Sequence, residues 1–225
     1  MPTLLITGAN RGIGLEFVRQ YAADGWKVIA TARDPHGARE LNALPGDVTV
    51  RPLDLDADFF DIDWNGLAGT EPVDLFINNA GVMGPQRLDT IEDAAAWINT
   101  LAVNSVAPVV LAKAVLPLVA AARGKLIAIT SKMGSIADNG SGGYIAYRSS
   151  KAALNAAWRS LAIDVKPQGV TAAVLHPGWV QTRMGGASAP LTPDQSVAGM
   201  RRVIDGLTPD QTGSFFNYDG APIPW

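Results

Sequence analysis

The sequence of 225 residues contains no cysteine, which excludes disulfides, zinc–thiolate sites, iron–sulfur clusters and thiol nucleophiles. Charged residues are also few, 17% of the chain, and the net charge is −3. So little positive charge provides no electrostatic attraction for polyphosphate, and we expect no nucleic-acid partner. The two histidines, His36 and His176, have no second ligand at metal-like spacing, so we predict no metal site. Acid–base and cofactor chemistry remain.

The chain also lacks an uninterrupted apolar run of membrane-spanning length. Its most apolar region, Val103–Ala122, contains Asn104, Ser105, Lys113 and two prolines. We therefore interpret it as a buried helix and expect no membrane partner. The first apolar run, Thr3–Thr7, is not preceded by a basic segment. The sequence thus predicts no signal peptide and a cytoplasmic location.

Apolar runs of strand length alternate with helical segments, a pattern typical of a parallel sheet covered on both faces. The predicted strands are Thr3–Thr7, Lys27–Ala32, Val48–Pro52, Val73–Asn78, Lys125–Thr130, Thr171–His176 and Ser214–Phe216. The predicted helices are Ile13–Ala23, His36–Leu44, Asp93–Ala122 with candidate bends at Pro108 and Pro117, Tyr144–Val165, and Pro193–Leu207 capped by Thr192 and Gln195. We therefore predict one α/β domain, residues 1–225, with seven parallel strands and helices on both faces.

A glycine-rich loop, TGANRGIG, follows the first predicted strand and leads into a helix. Glycines at 8, 12 and 14 let the backbone turn tightly and approach a pyrophosphate, and the helix N-terminus offers free N–H groups. An ordinary strand-to-helix turn also favours glycine. The position at the first β–α junction favours dinucleotide binding, with the candidate ligands Gly8, Asn10, Arg11, Gly12, Ile13 and Gly14.

Polar and small residues also follow the third and fourth predicted strands. Asp54 and Leu55 come after the third strand, and the fourth is closed by Asn78, Asn79, Ala80 and Gly81. Such residues can contact an adenine and a ribose at the carboxyl edge of a parallel sheet. Each one alone is also ordinary turn chemistry, so the prediction depends on the group.

Tyr147 and Lys151 are four residues apart in a predicted helix and therefore share one face. A nearby ammonium favours the phenolate and lowers the pKa of a tyrosine. The pair can thus exchange protons, although the same spacing occurs in helices where the tyrosine is half buried and the lysine solvated.

Five motifs together resemble the short-chain dehydrogenase/reductase family: a TGxxxGxG loop at Thr7–Gly14, NNAG at Asn78–Gly81, Asn104, Ser131, and YxxxK at Tyr147–Lys151. Further strings, among them RDP, MGSI, GGYIAYRSSKAALN, HPGWVQT and DGAPIPW, are similar to the subgroup of bacterial C-factor proteins and sniffer-type carbonyl reductases. The resemblance covers essentially the whole chain and implies a single-domain Rossmann fold.

The resemblance implies that Tyr147 donates a proton to a carbonyl oxygen while a nicotinamide supplies hydride, and that it acts as base in the alcohol direction. It further implies that Ser131 holds the same oxygen, that Lys151 lowers the tyrosine pKa and binds the nicotinamide ribose, and that Asn104 orders a water path to Lys151. The residues implied at the nicotinamide and its phosphate are Pro177, Gly178, Val180 and Thr182. The expected partner is a small carbonyl or alcohol.

Two positions depart from the family pattern, Lys132 after the serine and Arg183 after Thr182. Both positions leave open whether the preferred substrate is charged or neutral. Specificity is expected in the small, mobile loops Asp138–Gly143 and Gly185–Pro193. The alternative to an enzyme is a nucleotide-binding signalling or sensor protein of the C-factor kind, because fold and function are separable.

The end of the second strand predicts NADP(H) in preference to NAD(H). An acidic residue there would repel a 2′-phosphate, but the register of KVIATA places Ala32 at this point and Arg33 next. Arg11 can reach the same space, and two arginines suit a phosphate. Asp34 is the alternative ribose ligand if the register shifts, although it precedes Pro35 and is expected to turn the chain.

Two helices carry apolar faces that predict a homodimer or a tetramer built from it. The residues concerned are Trp97, Ile98, Leu101, Val109, Val110, Val115 and Leu118 in Asp93–Ala122, and Ala152, Ala153, Ala156 and Ala157 in Tyr144–Val165. The alternative is that both faces pack on the sheet.

Overall fold

The computed structural model describes residues 1–56, 62–63, 66–67 and 69–225. Seven strands form one sheet in the order β3-β2-β1-β4-β5-β6-β7, and every neighbouring pair is parallel. The strands are β1 Thr3–Ile6, β2 Lys27–Ala32, β3 Val48–Pro52, β4 Leu75–Asn78, β5 Lys125–Ile129, β6 Thr171–His176 and β7 Ser214–Asn217. The predicted fold class is confirmed, because crossover connections between parallel strands place helices on both faces.

In the described residues, the α-helices that connect the strands are α1 Gly12–Ala23, α2 Arg39–Asn42, α3 Ile91–Leu101, α4 Ala107–Ala121, α5 Ile145–Val165 and α6 Pro193–Gly206. A π-helical stretch, Ala102–Val106, joins α3 to α4, and a 3₁₀ turn, Lys132–Gly134, follows β5. One face of the sheet is covered by α4 and α5, with Leu111 and Trp158 in its core. The other is covered by α1 and α6, with Phe17 and Met200 in its core.

The second and third predicted helices differ from the structure by more than one residue at an end. The second is a single turn rather than His36–Leu44, because the Asp34 carboxylate accepts from the Gly37 amide (3.0 Å) and holds a turn. The third begins earlier than Asp93, because Thr90 and Asp93 form a capping box. The predicted capping box of Thr192 and Gln195 is present at the start of α6.

The long helical segment is interrupted where α3 meets α4. Pro108 lies in the first turn of α4, after the π-helical stretch, whereas Pro117 lies inside α4, which continues to Ala121. Helix Ile91–Ala121 is long and apolar enough to cross a membrane by composition, but half of its most apolar window is buried inside the protein. Since Leu111 and Val115 are 1% exposed against the sheet, we interpret it as a core helix.

Candidate active site

A cleft of about 950 Å³ opens at the carboxyl ends of the central strands. Most of the residues predicted to bind a dinucleotide line it: Gly8, Asn10, Arg11, Gly12, Ile13, Gly14, Arg33, Asp54, Leu55, Asn79, Ala80, Gly81, Tyr147, Lys151, Pro177 and Thr182. This is the edge at which open parallel sheets bind ligands, at the point where the strand order reverses between β1 and β4.

The glycine loop leaves room for a ligand because side chains cannot occupy it. Gly8 has φ +66°, and a Cβ there would lie 2.9 Å from the Ala80 Cα. A Cβ at Gly14 would lie 2.3 Å from the Gly8 carbonyl oxygen and 2.5 Å from Asn79 Nδ2. The first turn of α1 has no side-chain cap at Arg11, so its N–H groups face the cleft unpaired by any side chain. A pyrophosphate fits this cradle.

Asn79 and Thr7 fix the loop from the side of β4. The Asn79 side-chain amide donates to the carbonyl oxygens of Thr7 and Gly8, both at 3.0 Å. In return, the Thr7 hydroxyl accepts from the amides of Asn79 (3.1 Å) and Ala80 (3.0 Å). The NNAG segment therefore holds the phosphate loop in shape as well as lining the cleft.

At the far end of the cleft, Arg33 is paired. Its guanidinium lies 3.2 Å from the Asp56 carboxylate, which also accepts from the Asn99 amide at 3.1 Å. Sequence reasoning expected Arg33 to be free for a phosphate, and it did not foresee this carboxylate. The alternative ligand, Asp34, is occupied by its turn with Gly37. The Asp54 carboxylate accepts from the Asp56 amide at 3.0 Å, and Asp54 lines the cleft.

Tyr147 and Lys151 lie at the opposite end of the cleft, on the first turns of α5. Both are nearly enclosed, at 8% and 4% exposure. The Lys151 ammonium lies 5.9 Å from the centre of the Tyr147 ring and donates to the Ile129 carbonyl at 3.0 Å. Ser131 reaches the same point from the end of β5: its hydroxyl accepts from the Met133 amide at 3.1 Å and lies near enough to Tyr147 to lower the pKa of the phenol. A carbonyl oxygen placed here would meet two hydroxyls.

Burial controls the protonation of this pair. Burial raises the pKa of Tyr147 to about 12, against a lowering by the Ser131 hydrogen bond. Burial also lowers the pKa of Lys151 to about 8. That Lys151 lowers the tyrosine pKa stays a prediction; in the structure its ammonium donates to the Ile129 carbonyl at 3.0 Å. Tyr147 is therefore a protonated phenol at neutral pH.

Asn104 lies in the π-helical stretch, fully buried, and outside the cleft lining. Its side-chain amide donates to the Val82 carbonyl (2.8 Å) and the Ser150 hydroxyl (3.0 Å), and its oxygen accepts from the Val82 amide (2.8 Å). Both amide hydrogens are thus used to hold the chain after NNAG against α5. The side chain is not free to order a water path, which leaves only its backbone carbonyl for that role.

Two other predicted residues support the lining from behind. Val180 is 3% exposed, and Gly178 has φ +82°, where a Cβ would lie 2.4 Å from Leu191. The neighbouring Trp179 is 55% exposed and donates to the Gly185 carbonyl at 2.7 Å. These residues fix the turn after β6 and do not face the cleft.

The cleft also contains residues that the sequence reasoning missed: Thr31, Glu40, Met83, Thr130, Gln181 and Met184. The Thr31 hydroxyl is buried and has no hydrogen-bond partner in the part of the chain that the structure describes, so a ligand can satisfy it. A threonine near the end of an otherwise apolar strand was the available signal. Arg183 also lines the cleft, whereas Lys132 pairs with Asp138 at 3.2 Å.

The histidines carry no metal-like arrangement. Among the residues described, no three His, Asp or Glu side chains converge as metal ligands. Burial and the nearby Lys132 charge lower the pKa of His176 to about 4, so this imidazole is neutral at physiological pH.

Comparison with known proteins agrees with this geometry. The model of the short chain dehydrogenase family matches residues 2–191. The chain is 48% identical over 157 residues to the C-signal of Myxococcus xanthus, covering 69% of this chain and 95% of that protein. It is similar in structure to carbonyl reductase Sniffer of D. melanogaster, with a TM-score of 0.89, 36% identity and complete (100%) coverage of both chains. NADPH-bound carbonyl reductase from chicken fatty liver gives a TM-score of 0.87 at 34% identity, covering 100% of this chain and 99% of that one.

Proposed function

This chain belongs to the short-chain dehydrogenase/reductase family, and we propose that it is an NADP(H)-dependent carbonyl reductase with Tyr147 as the proton donor. One observation supports this most directly. A single cleft begins at a glycine cradle suited to a pyrophosphate and ends at Tyr147 and Lys151, with Ser131 beside Tyr147 at the end of β5.

The cofactor would be held along the whole cleft. The first turn of α1 and the glycines of the loop would bind the pyrophosphate, Asp54 and Leu55 would border the adenine, and Lys151 would contact the nicotinamide ribose. When bound, a reduced nicotinamide supplies hydride to the carbonyl carbon. The two relatives of similar structure are named as carbonyl reductases, and one contains NADPH.

Tyr147 would donate its proton to the carbonyl oxygen as negative charge develops there, and Ser131 would orient that oxygen. A pKa raised to about 12 keeps the phenol protonated over the physiological range, which suits the acid of the reduction direction. Alcohol oxidation needs the phenolate, and burial opposes its formation. We propose reduction as the physiological direction, in line with the carbonyl reductases of similar structure.

The proposal is tested by following NADPH oxidation with a panel of aldehydes, quinones, steroids and ketoacyl esters. Carbonyl-dependent oxidation by the purified wild-type protein, absent without the carbonyl, is the expected result. Tight NADPH binding with no turnover on any carbonyl would contradict a reductase.

That negative outcome would favour a second candidate, a nucleotide-binding signalling protein. The observation behind it is the 48% identity to the C-signal of Myxococcus xanthus. The presence of the complete Ser131, Tyr147 and Lys151 set favours the enzyme over this alternative, because a sensor does not require a proton donor in the cleft.

A further inference from the structure

The glycine-rich segment Asp138–Gly143 lies in the chain between Ser131 and Tyr147 of the candidate active site. It follows Ser131 and the 3₁₀ turn, and it ends immediately before Tyr144 and α5. All six of its residues are exposed. A Cβ at Gly140, Gly142 or Gly143 would meet nothing within 4 Å, so packing does not hold the segment in place.

Its backbone geometry is not self-sustaining either. Gly142, Gly143 and Tyr144 have φ values of +65°, +70° and +50° in succession. Tyr144 is not a glycine, and a residue with a Cβ disfavours this left-handed region. The conformation therefore needs contacts from outside the segment.

The first residue of the segment, Asp138, is held by Lys132 (3.2 Å) and by the Ser135 hydroxyl (3.1 Å), whereas the contacts at its other end converge on one side chain, Arg148. Its Nε donates to the carbonyl oxygens of Gly142 and Gly143, both at 3.1 Å. One terminal nitrogen donates to the Ser141 hydroxyl (2.9 Å), and the other to the Met133 carbonyl (3.3 Å). The guanidinium thus joins the end of the segment to the turn that follows Ser131.

The stretch before the segment is held differently. The Ser135 hydroxyl (3.1 Å) and the amides of Ile136 (2.6 Å) and Ala137 (3.3 Å) donate to the Trp225 carbonyl oxygen. This anchor belongs to the other end of the chain and does not involve Arg148. Loss of Arg148 should consequently release the end of the Gly-rich segment, residues 141–143, and leave Ser135–Ala137 in place.

We propose that Arg148 is a positioning residue that fixes the Gly-rich segment relative to Tyr147 and so shapes the substrate side of the site. Arg148 follows Tyr147 on the same rigid helix, so the proton donor and the segment share one support. The planar guanidinium is suited to several acceptors at once, which a lysine ammonium on a flexible chain does not match. The kinetic part of this inference rests on the proposed reductase function.

The test compares Arg148→Met and Arg148→Lys with a control on the same helix, Arg159→Met. Arg159 donates to the Gly213 carbonyl at 2.7 Å, in the loop before β7. All three variants remove or weaken a guanidinium anchor of α5, but only the first two concern the Gly-rich segment. Arg148→Lys keeps the charge and provides a soluble variant if Arg148→Met folds poorly.

Amide hydrogen exchange is measured first, because it requires no activity. We expect exchange in residues 141–143 to increase about tenfold or more in both Arg148 variants, in line with the loss of hydrogen bonds from a charged donor. In the Arg148 variants, exchange in residues 135–137 should match the wild type. In Arg159→Met, exchange should match the wild type in both 135–137 and 138–143. Unchanged exchange in 141–143 would overturn the proposal.

Steady-state kinetics follow, with the best carbonyl from the panel. The Arg148 variants should raise the KM for the carbonyl about tenfold, change kcat less than about threefold, and leave the KM for NADPH unchanged. A fall in kcat with unaltered carbonyl KM would contradict the assigned role. If the wild type reduces no carbonyl, the proposed function fails, while the exchange result still decides whether Arg148 fixes the segment.

Discussion

Burial determines the chemistry of the two central side chains, Tyr147 and Lys151. It keeps the phenol protonated, and it makes the buried ammonium expensive, with its pKa lowered from 10.5 to about 8. Below pH 8 the folded protein keeps the Lys151 ammonium buried, whereas in the unfolded chain the same charge is in water. The difference lowers the free energy of unfolding by about 3 kcal/mol. Lys151 thus destabilises the fold at the position where the proposed activity requires it.

Lys151→Met should therefore raise the free energy of unfolding near neutral pH, by up to about 3 kcal/mol less the value of the lost bond to Ile129. The advantage should shrink as the pH rises from about 8 towards 10.5, because the wild-type lysine loses its proton there. Urea denaturation of both proteins near neutral pH and above pH ~10 measures the difference. An advantage independent of pH would contradict the burial argument.

The kinetics should show the same titration. If the ammonium of Lys151 is needed for reduction, kcat/KM for the carbonyl should be constant below a pH of about 8 and fall above it. The pH profile measured at saturating NADPH checks this. A profile that rises through this range would indicate that the neutral amine is the active form.

At the residue scale, we expect Arg33 to set the preference between NADPH and NADH. Arg33→Ala and Ala32→Asp should each shift the ratio of kcat/KM values for NADPH and NADH towards NADH, by about tenfold or more, since a charged hydrogen bond to a phosphate is lost or opposed. Asp56→Asn should shift it the other way, because Asp56 competes for the guanidinium. A wild type that already favours NADH would show that the strand end is misinterpreted.

At the scale of elements, the glycine cradle depends on the close contact between the start of α1 and the end of β1. Gly14→Ala places a Cβ 2.3 Å from the Gly8 carbonyl oxygen. It should therefore weaken NADPH binding by about tenfold or more. The matched control is Gly206→Ala at the end of α6, where a Cβ meets nothing within 4 Å.

The control should bind NADPH normally and gain up to about 1 kcal/mol of stability, since alanine loses less backbone entropy than glycine in a helix. Fluorescence titration with NADPH and thermal denaturation distinguish the two variants. Equal NADPH affinity for Gly14→Ala and wild type would contradict the cradle.

The same scale shows what the sequence could predict. The strands could be predicted from apolar runs of strand length, and the start of α6 from its capping box. Both are local signals in the sequence. The short length of α2 could not be predicted in this way. It depends on the hydrogen bond that the Gly37 amide donates to the Asp34 carboxylate, and the spacing of apolar residues does not encode the orientation of that side chain. The pairing of Arg33 with Asp56 was also hidden, because it joins the ends of two neighbouring strands.

At the scale of the whole molecule, the structure changes which residues are available for the predicted dimer interface. Trp97 donates to Ser149 at 2.8 Å and Val115 is 1% exposed, so part of the predicted surface packs within the chain. Ile98 (69%), Val106 (50%) and Ile163 (59%) remain exposed on α3, its π-helical extension and α5. We still predict a homodimer through these helices. Light scattering at micromolar concentration should give twice the mass of the 225-residue chain, and a monomer would contradict it.

The central claim is that Tyr147 donates the proton in carbonyl reduction, and the Tyr147→Phe variant tests it most directly. The variant removes one hydroxyl and leaves the phenyl ring that packs beside Lys151, so the cleft should keep its shape. NADPH affinity and carbonyl-dependent NADPH oxidation are measured side by side for variant and wild type. The account predicts unchanged NADPH affinity and a loss of about a hundredfold or more in kcat, and near-normal turnover by Tyr147→Phe would contradict it.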